Sequence, residues 1–327
     1  MVDDAIPVTV DNFTRAETDM YFARSAGQSG GIGRLFYRRG LFDVRKQSGV
    51  RGNRDTLYST GVFDLGASPL TFTLPDAGNR FTSLMGIDED HFIPFLTYDP
   101  GTYTFTREQI GTRYLYLAVR MLTDPADPAD LEEVHALQDA IVVQQDDRGR
   151  LELPDWDQAS RQRIHDALVI LGESVPDSAG MFGSRDQVDP VRHLIGTATL
   201  WGGNPATEAM YLTVTPERND GTTRYTLTVR DVPVDGFWSI SVYNRDGYFE
   251  PNDAEAYSVN SVTAKKATDG SVVVEFGGSD SKVNCLPITP GWNYTVRLYR
   301  PRPEILDGTW TFPAAVAAAS AAARTSA

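Results

Sequence analysis

Thr226-Leu-Thr-Val-Arg-Asp-Val-Pro-Val-Asp-Gly-Phe-Trp-Ser-Ile-Ser-Val-Tyr-Asn-Arg-Asp-Gly-Tyr248 is matched, with one residue of slack, by Thr71-Phe-Thr-Leu-Pro-Asp-Ala-Gly-Asn-Arg-Phe-Thr-Ser-Leu-Met-Gly-Ile-Asp-Glu-Asp-His-Phe92. Thr71 falls on Thr226, Asp76 on Asp231 and Phe81 on Phe237. Ser83 and Leu84 fall on Ser239 and Ile240, and Asp88 and Asp90 on Asn244 and Asp246. Further on, Val119-Arg120-Met121-Leu122 echoes Val296-Arg297-Leu298-Tyr299. Each stretch reads as strand, turn, strand. A repeat at so long an offset speaks to architecture before any motif does, and it predicts a duplicated β module.

Around these stretches, short apolar or alternating runs from Asn53 to Leu122 and from Ala209 to Pro301 are separated by turns rich in Gly, Asp and Pro. Between them, apolar residues recur at helical spacing over 128–145 and 157–172, and a third helix is expected over 186–199. Residues 9–26 form one more amphipathic run, with Asp11 as its expected N-cap. The expected fold is mainly β with α segments: two jelly-roll-like antiparallel β-sandwich modules separated by a helical segment. The expected divisions are an N-terminal helix and Gly-rich loop (1–35), a first β module (36–124), a helical segment (125–205), a second β module (206–313) and an Ala-rich flexible tail (314–327).

Composition narrows the partners. The 327 residues carry a formal net charge of −14, which repels nucleic acid and anionic lipid, so neither is expected as a partner. The start, Met-Val-Asp-Asp-Ala-Ile-Pro, lacks the apolar run of a signal peptide, and cytoplasmic location is the expectation unless a leader has been trimmed. The single cysteine, Cys285, allows no internal disulfide and has no base near it in sequence, so an inert buried thiol is expected. A small-molecule ligand and a homo-oligomer are both compatible with this chain.

Several stretches resemble a bacterial pair of domains: Asn53-Arg-Asp-Thr-Leu-Tyr-Ser59, Asp231-Val-Pro-Val-Asp-Gly-Phe-Trp-Ser239, Tyr294-Thr-Val-Arg-Leu-Tyr299 and Pro303-Glu-Ile-Leu-Asp-Gly-Thr-Trp310. The pair is domain of unknown function family 1254 followed by family 1214, here in a short form with a reduced region before Asn53. The resemblance implies two jelly-roll-like β domains joined by helices. It brings no established reaction with it; some relatives carry an esterase label.

Candidate site residues sit at strand ends. Asn53, Arg54 and Asp55 either clamp an anion through the guanidinium fork or form a structural ion pair at the strand's entry. Asp88 and His91, in Asp88-Glu-Asp-His91, either move protons or belong to a solvated turn. They make an incomplete metal set, so no metal and no cofactor are expected. His193 is placed near Trp201-Gly-Gly, facing either a cleft or solvent, while His135 and His165 read as solvated. Arg120 and Arg297 hold equivalent points of apolar strands and either pair with a carboxylate or face a ligand. Tyr58, Trp238, Tyr243, Trp292 and Tyr299 either line a pocket or pack a core. In 237–243, Phe237, Ser239, Ser241 and Tyr243 share one face of the strand. Gly27-Gln-Ser-Gly-Gly31 spells a nucleophile elbow, but its expected helix precedes the serine where the elbow needs a strand.

Two functions from different classes follow. One is a metal-independent hydrolase or lyase on a small organic acid or ester, with Asp55 and His91 catalytic and Asn53, Arg54, Tyr58, Asp88, Arg120, His193, Trp238, Tyr243 and Arg297 binding the ligand. The other is a non-catalytic module for a small molecule, carbohydrate or protein. The fold serves either.

Overall fold

A computed structural model describes residues 5–47, 50–175, 177–278 and 283–318. The expected tail lies outside the described residues from 319 onward. The chain divides into two compact units: residues 1–39 with 56–206, and residues 40–55 with 207–327. A 16-residue arm, 40–55, thus leaves the first unit's sequence to join the second, after which the chain returns.

The first unit holds α1 (Phe13–Ser29), β1 (Phe36–Tyr37), β2 (Thr56–Asp64), β3 (Leu70–Leu74), β4 (Thr82–Asp88), β5 (Phe95–Thr97), β6 (Gly101–Phe105), α2 (Arg107–Ile110), β7 (Tyr114–Leu122), α3 (Pro128–Asp139), β8 (Val142–Gln144), α4 (Gln158–Gly172) and α5 (Pro190–Thr199). The second holds β9 (Ala209–Val214), β10 (Tyr225–Val229), β11 (Trp238–Tyr243), β12 (Ser258–Asn260), β13 (Val272–Phe276), β14 (Cys285–Leu286), β15 (Asn293–Tyr299), α6 (Pro303–Leu306) and β16 (Val316–Ala317). The protein is mainly β, as its alternating runs imply. Every strand pairing among the described residues is antiparallel except the short β13–β14 pair.

The order of strands repeats. Unit 1 has sheets β1-β2-β7-β4-β5 and β6-β3-β8; unit 2 has β12-β11-β15-β9 and β14-β13-β10-β16. Reading β2, β7, β4, β5 onto β9, β15, β11, β12, and β6, β3, β8 onto β13, β10, β16, the two orders coincide. β1 and β14 are the additions. Register agrees as well. Ser83 pairs with Arg120 and Arg120 with Tyr58; Ser239 pairs with Arg297 and Arg297 with Tyr211. The turns after β4 and β11 are alike in detail. Asp88 Oδ1 accepts from the N–H groups of Asp90 and Phe92, and Asn244 Oδ1 from those of Asp246 and Tyr248. His91 (φ 62°) stands where Gly247 (φ 84°) stands. The left-handed backbone costs a glycine nothing and a histidine something, so His91 is held there by its contacts.

Burial follows the pleat. β3 alternates buried with half-buried residues and β10 buried with exposed ones, whereas β4, β11 and β15 are buried on both faces. In unit 2, Leu227, Val274 and Phe276 from one sheet close on Trp238, Ile240 and Val296 from the other, forming a sandwich core. In unit 1, helices cover the outer face of β4, where Met85 and Ile87 meet Phe13 and Ala16 of α1, Leu168 of α4 and Ile195 of α5.

Local signals place most helix ends. Asp127, Asp157 and Asp189 cap α3, α4 and α5, with proline opening α3 and α5. Three expectations change. α1 begins at Phe13 and runs on through Gly27 to Ser29, stopped by Gly30 in the left-handed region. The helical segment is not wholly helical: α3 ends at Asp139, and the β-branched pair Val142-Val143 joins β3 as β8. Val316 and Ala317, at the start of the expected tail, pair with β10. No helix among the described residues is long and apolar enough to cross a membrane.

Leu84 and Ile240 are equivalent and fully buried. Truncating either to alanine is expected to cost about 2–5 kcal/mol, measured by urea unfolding, because the site cannot fully collapse around the lost atoms.

Candidate functional site

On the outer face of unit 2's β12-β11-β15-β9 sheet, Ser239 and Ser241 of β11 flank Arg297 of β15, which is 3% exposed. The arm closes over it. Arg297 Nη1 donates to Ser241 Oγ (2.9 Å), and Nη2 donates to Tyr243 Oη (2.6 Å) and to the carbonyls of Arg51 (2.8 Å) and Gly52 (3.2 Å). Tyr243 in turn donates to the Gly52 carbonyl. Burial opposes the charge on Arg297, but Tyr243, Tyr299 and Asp55 outweigh it and hold its pKa above the ordinary value.

Asp55, 1% exposed, ends the arm beside this guanidinium. Asn53 Oδ1 accepts its backbone N–H, and Asn260 Nδ2 donates weakly to Oδ1 at 3.4 Å. Burial pushes the Asp55 carboxyl up against the pull of Arg297, Ser239 and Asn260. Oδ2 of Asp55 and Oγ of Ser239 lie without a hydrogen-bond partner of good geometry, although the two groups are near enough to interact. Elsewhere along the arm, Arg51 Nη1 donates to Asn293 and Thr295. Asn53 Nδ2 donates to Tyr299 Oη (3.2 Å). Arg54 turns away from the cluster, donating to the Phe42 carbonyl and lying over the Tyr257 ring.

Unit 1 repeats the plan with a different cover. Arg120 of β7, 6% exposed, stands over the Tyr58 ring, and its Nη2 donates to the Gly202 carbonyl (3.0 Å). The Gly202 N–H donates to His91 Nε2 (2.9 Å), so the proton of the neutral ring sits on Nδ1 and is donated to Thr197 Oγ1 (2.8 Å). His91 is 1% exposed; burial, then the neighbouring His193, holds its pKa well below the ordinary value. Its ring stacks on Trp201 and His193, and His193 stacks on Phe92. His193 has the Met181 carbonyl at Nδ1 and the Asp90 carbonyl at Nε2. Burial pushes the Asp88 carboxyl up to about 7, despite the two N–H bonds it accepts.

The residues singled out from sequence therefore fall into two clusters. Asn53, Asp55, Tyr243 and Arg297 meet in unit 2, and Tyr58, Asp88, His91, Arg120 and His193 gather in unit 1. Trp238 points the other way, into the sandwich core. Arg51, Asn260, Thr197 and Gly202 were not singled out. The hydroxyl face of β11 was the signal for Ser239 and Ser241, and Trp201-Gly-Gly lay beside His193, but no local pattern marks Arg51 or Asn260. His135 Nε2 lies against the Arg39 carbonyl and His165 Nδ1 against Glu17, so neither is simply solvated. Cys285 is buried, its thiol pKa raised by burial, and it donates to the Gly278 carbonyl. Among the described residues, no three His, Cys, Asp or Glu side chains are grouped to hold a metal.

Two open clefts lie away from these clusters. In unit 1, about 590 Å3 is lined by Asp64, Arg107, Arg113, Arg150 and Glu152. There Arg113 grips Asp64 with two parallel bonds, and Glu152 bridges Arg113 and Arg150. In unit 2, about 550 Å3 is lined by Asp231, Pro233, Arg302, Glu304 and Trp310 among others.

Residues 32–91 match the model of DUF1254, and residues 208–303 that of DUF1214, each described as a protein of unknown function. The chain carries the two in the order the sequence resemblance implies. Its fold is similar to the crystal structure of the VPA0106 protein of Vibrio parahaemolyticus, at 16% identity, with 95% of this chain and 98% of that one covered and a TM-score of 0.72. An uncharacterized protein of Burkholderia cenocepacia is similar at 12% identity, with 94% and 87% covered and a TM-score of 0.52. At these identities the likeness is one of fold. No curated protein matches the chain.

Replacing Arg297 by methionine strands several acceptors and removes the larger of the two cationic pulls on Asp55, leaving that of Arg54. A loss of about 3–5 kcal/mol is expected in chemical unfolding, with part regained in the Arg297→Met/Asp55→Asn double variant. Asp88 gives a pH signature. Its folded pKa lies above the unfolded one, so its contribution is full only below the unfolded value of 3.8 and is lost as pH rises from there through about 7. Asp88→Asn keeps the acceptor oxygen without the charge. Its melting temperature is expected to exceed that of the native chain at pH 8, and the difference to vanish as pH falls below the unfolded value of 3.8.

Proposed function

We propose that the chain is a non-catalytic ligand-binding protein, in which the buried arginine clusters fasten the covering loops and a ligand is taken at an open cleft of a β unit. The observation that carries this reading is the sealing of the acid-base groups. A general acid or base must come within about 2.6–3.2 Å of the proton it moves. Asp55 and His91 are each 1% exposed. Both ring nitrogens of His91 are already engaged, by the Gly202 N–H and by Thr197. Asp55 is enclosed by the arm, Asn260 and Arg297.

The hydrolase or lyase reading, acting on a small organic acid or ester, needs one of these two groups at the substrate. Binding needs neither. It draws instead on clefts whose volumes fall within the roughly 300–1,000 Å3 usual for small-molecule sites. A screen of esters, lactones and carboxylic acids tests the choice. No turnover above the buffer rate is expected, and Asp55→Asn and His91→Gln are expected to lower the melting temperature. Turnover that vanishes in Asp55→Asn or His91→Gln at an unchanged melting temperature overturns the reading.

A further inference from the structure

Two of the quoted motifs, 231–239 and 303–310, contribute nothing to the buried clusters through their first halves, yet they meet at one place. Asp231, Val232 and Pro233 face Arg302, Glu304 and Trp310 across the cleft of unit 2. Main chain fixes the frame. The N–H groups of Asp235 and Gly236 donate to the carbonyls of Arg300 and Tyr299, and the Arg302 N–H donates to the Pro233 carbonyl. A Cβ on Gly236 would stand 2.7 Å from the Tyr299 oxygen, so that approach admits no side chain. On the opposite wall, the Trp310 N–H donates to the Glu304 carbonyl, and Thr309 is tied to Asp307. Asp231 is held at φ 49°, a left-handed conformation that a non-glycine residue takes at a cost.

The lining has a definite chemical character. Trp310 is half-buried against the sandwich core, packing on Phe312 at 6.0 Å between ring centres, and it is one of the residues that line the cleft. The side-chain carboxylates of Asp231 and Glu304 make no hydrogen bond or ion pair among the described residues. Arg302 donates through Nε to Asp235, leaving its two terminal amino groups for other partners. Donors and acceptors therefore stand together around one aromatic surface. An anion would meet the carboxylates of Asp231 and Glu304 on a chain of net charge −14, a cation would leave the terminal donors of Arg302 unused, and an apolar ligand would strand all three side chains. A hydroxyl both donates and accepts, and a sugar ring adds an apolar C–H face that suits an indole.

We propose that this cleft binds a neutral oligosaccharide, with Trp310 as the platform for one ring and Asp231, Glu304 and Arg302 as the partners of its hydroxyls. The inference rests on the binding reading above and names its ligand class. Titrating the full chain with cellohexaose, maltohexaose, xylohexaose and chitohexaose, by calorimetry and tryptophan fluorescence, tests it. At least one hexaose is expected to bind. Trp310→Ala is expected to weaken that binding roughly tenfold or more, while Trp310→Phe keeps most of it and guards against a folding defect in the alanine variant. Asp231→Asn and Glu304→Gln are each expected to weaken it several-fold at an unchanged melting temperature. Failure of all four hexaoses, or binding indifferent to Trp310→Ala in a folded variant, overturns the inference. If a library of polar small molecules raises the melting temperature where the hexaoses do not, the saccharide assignment falls and the binding reading stands. Turnover dependent on Asp55 or His91 removes the reading beneath both.

Discussion

A guanidinium buried in the middle of a sheet sets the terms for each unit. A cation taken out of water is tolerated when its N–H groups find acceptors, and neutral oxygens serve as well as a carboxylate. In unit 2 the acceptors are a serine, a tyrosine and two carbonyls of the arm; in unit 1 the Gly202 carbonyl and the Tyr58 ring take part. Each covering segment makes a second attachment at the turn after the neighbouring strand. Arg51 N–H donates to the Gly247 carbonyl, and Gly202 N–H donates to His91 Nε2. The loops are thus held by polar bonds of defined geometry, which gives them a fixed position that apolar packing alone would not specify.

This arrangement accounts for the oddities of His91. Its counterpart in the other unit is a glycine, over which the arm lies directly, with Val50 Cβ 3.3 Å from where a side chain would begin. Among the described residues of unit 1 no such arm is seen at that point, and the imidazole of His91 supplies the acceptor that the Gly247 carbonyl supplies in unit 2. The same duplicated scaffold has solved one burial problem in two ways, once with main chain from a distant segment and once with a side chain. His91 resembles a catalytic group in sequence because it is flanked by carboxylates, while its surroundings keep it neutral and enclosed.

Much of this plan is legible in the sequence because the repeat preserved spacing. The matches of Ser83 with Ser239 and of Arg120 with Arg297 carry directly into the sheet register, and Asp88 with Asn244 into the turn geometry. What escaped has a common cause. Asp55 and Asn260 are 205 residues apart and Arg51 and Asn293 242 apart, and no local pattern records such contacts. Trp238 could be assigned to a face but not to a layer, since both faces of β11 are buried. β8 lies within the stretch 128–145 whose spacing predicts a helix, because its three residues carry too little alternation to stand out.

The arm also bears on synthesis. It leaves the ribosome 246 residues before Arg297, the side chain that binds its carbonyls. At about 5–20 residues per second, this is an interval of roughly 12–50 s. Throughout it, the arm's apolar residues Phe42 and Val44 have none of the aromatic partners they meet later, Tyr243, Phe249 and Tyr257. The nascent chain must therefore carry an uncommitted segment between two portions of its first unit, and a chaperone that shields 40–55 would act on the one stretch whose destination has not yet been made.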